Sequence, residues 1–285
     1  MDTRFSTFLS LCSTLNYRKT AEDVHLSQPA VTKQIQSLEQ EYSTKLFDYK
    51  GRSLSLRAEG MLFKRFAESQ RYNEQELISE LACKPQFTLR LGATKSIGDS
   101  VLDSYLISYL KQENRNISLM VENTTVLLAQ LEAAQLDFIV LEGLFPKKHY
   151  AYRLLRRETF VGICAKDHPF AGKSIPVPLL QGQNLITREP GSGTRNIFER
   201  ELQRQGYDLS LFPRVTEISS FQPLKKLVSN GLGISFVYQS VADTDSELAQ
   251  FSLSHMVTEH EFNIVWLKHT SASRYVDDFF QSSES

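Results

Sequence analysis

A chain of 285 residues with 41% hydrophobic and 23% charged side chains has the composition of a folded protein in water, which excludes disordered, collagen-like and membrane-embedded classes. Its length implies about two domains at roughly 150 residues each. The net charge of −1 conceals a split, because residues 1–65 hold ten Lys/Arg against seven Asp/Glu, giving +3 there and −4 in the rest; such a basic head permits nucleic-acid binding by one end. No apolar run approaches the roughly 18–20 residues of a spanning helix. The opening MDTRFSTFLSLCSTLNY is polar throughout, with an early Asp2, and is unlike a secretory signal, so a cytoplasmic location is expected. Cys12, Cys83 and Cys164 are odd in number and far apart, which fits neither a disulfide framework nor a zinc site, and all three are expected as reduced thiols.

In chain order, Phe5, Phe8, Leu9, Cys12 and Leu15 recur at three and four and predict a short amphipathic helix. Asn16 is placed to cap a second helix with Ala21, Val24 and Leu26 on its buried side. A third opens at Ser27, tolerates Pro29 because first-turn amides have no helical partner, and buries Val31, Ile35, Leu38 and Tyr42. Leu46 and Phe47, a polar turn over 48–53, then Leu54 and Leu56 predict a small β-wing. Residues 58–84 predict a long helix ended by Pro85; its apolar spacing breaks at Ser69 and Asn73, which favours a solvent-spanning linker over a continuous coiled coil.

Beyond Pro85 the pattern alternates strand and helix. Strands are expected at 87–91, 117–121 and 136–141, with helices at 101–110 and 125–135 between them, a βαβαβ run that implies a parallel sheet. A second run follows, with strands at 159–165, 184–187, 214–218 and 234–237 and helices at 195–206 and 221–229, and the chain closes with a strand at 261–267 and a helix at 273–280. The expectation is two sheets with a cleft between them. The fold class is therefore multidomain: an all-α winged helix-turn-helix over 1–58, a linker and dimerisation helix over 59–85, and an α/β domain over 86–285 whose Rossmann-like subdomains comprise about 86–160 with 265–285, and 161–264.

Residues 20–39 form a helix, a tight turn and a second helix whose outward side is Gln28, Thr32, Lys33 and Gln36. Such a face fits the major groove, where Gln pairs with adenine, Lys donates to guanine and Thr touches a thymine methyl. Exposed helix faces of this kind are common; the preceding helix, the wing with Arg52 and Arg57 and the local positive balance single this one out. Ser27, Arg52 and Arg57 are expected on phosphates, and Gln28, Pro29, Thr32 and Lys33 on bases.

These residues carry a resemblance. Ala21, Ser27-Gln28-Pro29-Ala30-Val31, Gln34-Ile35, Leu38-Glu39, Leu46-Phe47 and Ala58-Glu59-Gly60 stand in the order and spacing of the winged helix-turn-helix of LysR-type transcriptional regulators. Arg188-Glu-Pro-Gly-Ser-Gly-Thr-Arg195 resembles a segment of that family's second half. Thr20, Ser43 and Tyr49 depart from the pattern, the last removing one expected phosphate contact and leaving Lys50 and Arg52 to substitute. The resemblance implies an effector-binding domain like that of periplasmic solute-binding proteins. Its partners would be double-stranded DNA, a small-molecule effector, further copies of the chain in a dimer or tetramer, and RNA polymerase, with no membrane and no cofactor. A single recognition helix reads few base pairs, so two heads held roughly 34 Å apart, or a multiple of it, are expected.

In an open α/β sheet, ligands bind beyond the C-terminal strand ends, where helix N-termini present unpaired amides. Thr94-Lys95-Ser96, Asn123-Thr124-Thr125 and Gly191-Ser192-Gly193-Thr194 fall there. Plain N-capping accounts for any one of them singly; the resemblance places the effector cleft at the first two, and so implies Thr94, Ser96, Asn123, Thr124 and Thr125, with Ser192 beside them and Lys95 solvated. With no acidic residue in the three segments, an anion or carboxylate is the expected effector and an amine is not.

Two other classes compete. A transport-type solute-binding protein would share the C-terminal fold but has no use for the first 60 residues. A serine hydrolase would need a base beside Ser192, which lies in Pro-Gly-Ser-Gly and not in a Gly-x-Ser-x-Gly elbow. His25, His149, His168, His255, His260 and His269 show no metal-ligand spacing. Neither a catalytic nor a metal site is expected.

Overall fold

The computed structural model describes residues 2–50, 53–81 and 87–281. It divides into two compact units, one of Met1–Lys84 with the short segments Glu132–Ala134 and Leu267–Ser271, the other of the remaining chain.

The first unit holds α1 (Thr3–Thr14), α2 (Tyr17–Asp23), α3 (Gln28–Glu41), a hairpin of β1 (Phe47–Lys50) and β2 (Ser53–Leu56), and the long α4 (Ala58–Leu81). The helix starts follow from their caps. Asp2 accepts from the amide of Arg4, Asn16 from those of Arg18 and Lys19, and Ser27 from that of Ala30, with Pro29 in the first turn. The apolar stripes close on one core, in which Phe8, Leu11, Val31, Ile35, Leu38 and Leu46 are buried and Phe63 of α4 meets Phe8 edge-on at 4.9 Å. Three expected core positions are exposed. Leu15 is the left-handed C-cap of α1 and is exposed, Leu26 lies in the turn after α2, and Tyr42 ends α3 with its ring edge-to-face with Phe63 at 4.8 Å.

The expectation of a solvent-spanning α4 is corrected. Phe63, Ala67, Glu68, Ser69, Tyr72 and Glu76 are buried. Ser69 and Asn73, where the apolar spacing breaks, donate to the carbonyls of Lys268 and His269 across 2.8 Å and 3.0 Å. The interruption in the stripe is thus a polar contact surface within the first unit.

The second unit begins with β3 (Phe87–Ala93), α5 (Lys95–Gly98), α6 (Asp103–Leu110), β4 (Arg115–Val121), α7 (Thr124–Glu132) and β5 (Phe138–Glu142). β3 lies parallel to both β4 and β5, as the βαβαβ pattern requires. Next come β6 (Tyr150–Ala165), β7 (Ser174–Ile175), β8 (Asn184–Thr187), α8 (Gly193–Arg204), β9 (Arg214–Glu217), α9 (Phe221–Ser229), β10 (Ser235–Tyr238), α10 (Gln239–Ala242), β11 (Leu248–Leu253), β12 (Glu259–Leu267) and α11 (Ala272–Gln281).

The hydrogen-bonded strand order is β4-β3-β5-β12-β6-β11-β7, with β10 also on β6 and β8 pairing β9 separately. The two α/β subdomains therefore share one continuous ladder through β12 and β6, where the sequence suggested two sheets. β6 is sixteen residues long and begins well before position 159, because its first half turns mostly half-exposed or exposed side chains outward and needs no apolar run. Phe138, Phe160, Phe262 and Phe279 are fully buried in the core, and Phe198 of α8 stacks on Phe236 of β10 at 4.0 Å. Cys12 and Cys164 are free thiols whose burial pushes their pKa up to about 12 and about 11, so both stay protonated and unreactive; Cys83 lies outside the described residues. No described helix is long and apolar enough to cross a membrane.

Candidate functional site

The DNA-facing residues are set by α3 and the wing. Gln28, Pro29, Lys33 and Gln36 are exposed on the outward side of α3, Ser27 caps it, and Thr32 is half-buried. The Thr32 hydroxyl donates to the carbonyl of Gln28 across 3.0 Å. Arg57 is exposed at the end of the hairpin, 3.3 Å from Glu59 and 3.7 Å from Asp48; Arg52 lies outside the described residues. Two further positions hold the wing against α3. The Glu39 carboxylate accepts the amide of Leu46 at 2.9 Å and pairs with Lys45 at 2.6 Å. Gly60 has no room for a side chain, since a Cβ there would lie 2.2 Å from the carbonyl oxygen of Leu46.

Within the second unit, a cavity of about 520 Å³ is walled by the start of α7, a face of α8 along its whole length, the end of β5 with the segment after it, and the start of β12. Thr124 and Thr125 line it, as do Gly191 and Gly193 on either side of Ser192. Gly191 takes φ +87°, a left-handed turn that delivers the chain into α8 and favours glycine. Thr94, Ser96, Asn123 and Ser192 do not line the cavity. Asn123 caps α7, its side-chain oxygen accepting the amide of Val126 at 3.0 Å. Ser192 is buried ahead of α8 without a side-chain capping bond.

Thr94 and Ser96 are engaged elsewhere. The Thr94 hydroxyl donates to one oxygen of Glu142, and that of Ser96 reaches the other at 3.1 Å and Thr194 at 3.1 Å. Glu142, absent from the sequence-based site, is 2% exposed and still contributes to the cavity wall. Burial pushes its carboxyl above the usual carboxylate range, and the two hydroxyls act against that rise. The three segments contain no acid, yet the fold brings one into their midst, which corrects the expectation of a wall made only of donors. Lys95 is likewise not simply solvated, because its ammonium donates to the carbonyl of Ser219 at 2.9 Å and lies 3.5 Å from Glu189.

The other charges of the cavity are largely matched. Lys147 pairs with Glu261 at 2.9 Å and Arg204 with Glu201 at 2.8 Å. Arg200 and Glu259 are exposed on the wall. Burial pushes the His260 pKa down, and its ring lies 3.1 Å from the carbonyl of Val257. Among the described residues no histidine contacts Ser192, whose own amide bonds to Glu189, and no group of His, Cys, Asp or Glu is placed to hold a metal ion.

A winged helix-turn-helix unit together with an α/β unit built around a polar cavity defines a DNA-binding regulator with a receptor domain. Residues 3–61 match the lysR family of bacterial regulatory helix-turn-helix proteins, and residues 84–284 match the LysR substrate binding domain. The chain belongs to the LysR family of transcriptional regulators and is not an enzyme. It is 27% identical to the HTH-type transcriptional regulator CysL of Bacillus subtilis over 256 residues, covering 88% of this chain and 84% of that one. It is 28% identical over 242 residues to a probable RuBisCO transcriptional regulator of Cyanophora paradoxa, covering 82% and 74%. A single-substitution variant of full-length OxyR from Pseudomonas aeruginosa shares the fold with a TM-score of 0.61 at 22% identity, over 99% of this chain and 94% of that one. The regulatory domain of CcmR from Synechocystis PCC6803, solved in complex with 2-PG, does so with a TM-score of 0.61 at 22% identity, over 70% and 98%.

Proposed function

We propose that this regulator binds a specific DNA site as a homo-oligomer through α3 and the wing, and that a small effector bearing a carboxylate or other anionic group occupies the cavity of its second unit. The division of labour follows the boundaries 1–58 for DNA, 59–85 for association and 86–285 for the effector. The observation that carries the effector reading is Thr124. Its hydroxyl oxygen is shielded from solvent and has no hydrogen-bond partner among the described residues, on a residue of the cavity wall at the first turn of α7. An uncompensated buried hydroxyl is costly, and an anion at a helix start supplies its acceptor while gaining from the helix dipole. Arg200 on the same wall adds a positive charge outside any ion pair of the described residues, and Glu259 a negative one. The structural neighbour solved with 2-PG is in keeping with a small ligand in this fold.

Calorimetry and thermal shift on the full chain with carboxylates and inorganic anions test this reading, since a ligand of the folded state raises its melting temperature. Binding that Thr124→Val weakens at least tenfold is expected. Unchanged affinity in the variant moves the effector elsewhere.

A further inference from the structure

The cavity carries charge of both signs, and the unmatched charges say more about the ligand than the matched ones. Lys147 with Glu261 and Arg204 with Glu201 are ion pairs and leave no net charge. Three charged side chains remain, one of them Glu259, exposed on the wall. Arg200 is exposed on the wall and forms no ion pair among the described residues. Glu142 is 2% exposed and receives two hydroxyls but no cation. The arginine beside it, Arg188, is committed to Glu189 at 2.9 Å and lies over the ring of Phe221 at 4.4 Å.

A carboxyl withdrawn from water without a cation is pushed toward its protonated form, and neutral hydroxyl donors offset only part of the cost of ionising it, so a cation brought by a ligand is what would stabilise the carboxylate. Its position is built with care. Gly193, the first residue of α8, packs so closely that a Cβ there would lie 3.2 Å from Glu142 atoms, and the side chains of Thr94 and Ser96 fix both oxygens. A group so held, and still reaching the cavity, is suited to receive a positive charge from the ligand.

Resting on the reading of this cavity as the effector site, we infer that the effector is a zwitterion of the amino-acid type, its ammonium group paired with Glu142 and its carboxylate held by Arg200 and the start of α7. A volume of about 520 Å³ is ample for such a molecule, since small-molecule sites span roughly 300–1,000 Å³. A plain carboxylate leaves Glu142 unpaired, and a plain amine leaves Arg200 and Thr124 unpaired. The ligand that satisfies all three carries both charges.

The test is calorimetry on the full-length protein with three matched sets: the standard L-amino acids, the carboxylic acids of the same skeletons lacking the amino group, and the amines of the same skeletons lacking the carboxylate. At least one amino acid is expected to bind at least tenfold more tightly than both of its truncated counterparts. Glu142→Gln, which keeps an acceptor for one of the two hydroxyls and offers the other an amide donor, should reduce that affinity at least tenfold. Should this variant fail to fold, the wild-type comparison decides alone. A carboxylic acid that binds as tightly as its amino acid, with Thr124→Val abolishing both, overturns the zwitterion and leaves the anion site standing. Binding that is indifferent to Thr124→Val, or no binding by any of the three sets, overturns both.

Discussion

The carboxylate of Glu39 accepts the backbone amide of Leu46 across 2.9 Å and so joins the recognition helix to the first strand of the wing. Leu46 is fully buried, so its amide has no ready substitute partner. Glu39→Ala should cost about 1–3 kcal/mol locally, the usual penalty of a buried donor left unsatisfied. The nearby Lys45, largely exposed, contributes little to this because surface ion pairs are weak. Hydrogen exchange at Leu46 is the measurement, with roughly tenfold or greater acceleration expected. Unchanged protection would mean that the wing is held by its apolar contacts alone.

Gln28 stands exposed in the first turn of α3, and its amide can pair bidentately with adenine. Gln28→Ala should cost on the order of 1–3 kcal/mol and relax preference at one base pair. Binding-site selection on wild type and variant reads this directly. Equal weakening on every sequence would instead assign Gln28 to the phosphate backbone.

Along α4 one row of side chains is left to solvent: Leu62, Phe66, Leu77 and Leu81 are each at least 43% exposed. A second copy of the same helix is the proposed cover. Leu77→Glu should dissociate the oligomer, since burying a leucine contributes about 1.5–3 kcal/mol and a two-fold interface counts it twice. Sedimentation velocity at micromolar concentration should show a monomer for the variant; an unaltered assembly would place the interface elsewhere.

What could be read in the sequence follows from how local each signal is. Asn16 and Ser27 cap helices by bonding amides two and three residues on, so a short window contains the whole cause. Glu142 is the opposite case. Its partners Ser96 and Thr94 lie 46 and 48 residues earlier, and a lone acid at the end of an apolar strand gives no sign of them. The candidate site was therefore legible as helix starts rich in hydroxyls, but not as hydroxyls already engaged by a buried carboxylate. β11 went unread although Ala249-Gln250-Phe251-Ser252-Leu253 alternates apolar and polar residues; its pairing with β6 and β7 joins residues far apart in the chain.

Glu68 on α4 predicts a pH dependence. Burial pushes its carboxyl up to about 7, from an ordinary value of 4.5, even with Lys64 at 2.6 Å. Between those values the folded chain holds a proton that the unfolded chain has released, so stability falls as pH rises through that window. Glu68→Gln removes this dependence, while Lys64 retains Glu132 at 2.8 Å. The variant's melting temperature should therefore decline less than that of the wild type between about pH 5 and about pH 7.5. Parallel profiles for the two proteins would show that Glu68 ionises at its ordinary value.

Thr94 and Thr124, equivalent in the sequence as hydroxyls at helix starts, should separate under the same substitution. The Thr94 hydroxyl donates to Glu142, so Thr94→Val strips one of two donors from a buried carboxylate and should lower stability by about 1–3 kcal/mol. The Thr124 hydroxyl has no hydrogen-bond partner among the described residues, so Thr124→Val breaks no bond there and relieves an unsatisfied buried hydroxyl, and it should leave the melting temperature unchanged or raise it. The effector response should show the reverse order. Thr124→Val loses a direct donor to the ligand, whereas Thr94→Val acts only by loosening Glu142. Both variants should bind DNA as the wild type does, because neither residue belongs to the first unit. Thermal unfolding and DNA titration of the two proteins, with and without the best-binding molecule of the calorimetric sets, provide the comparison. A destabilised Thr124→Val with an intact response would show that this hydroxyl serves the fold and not the ligand.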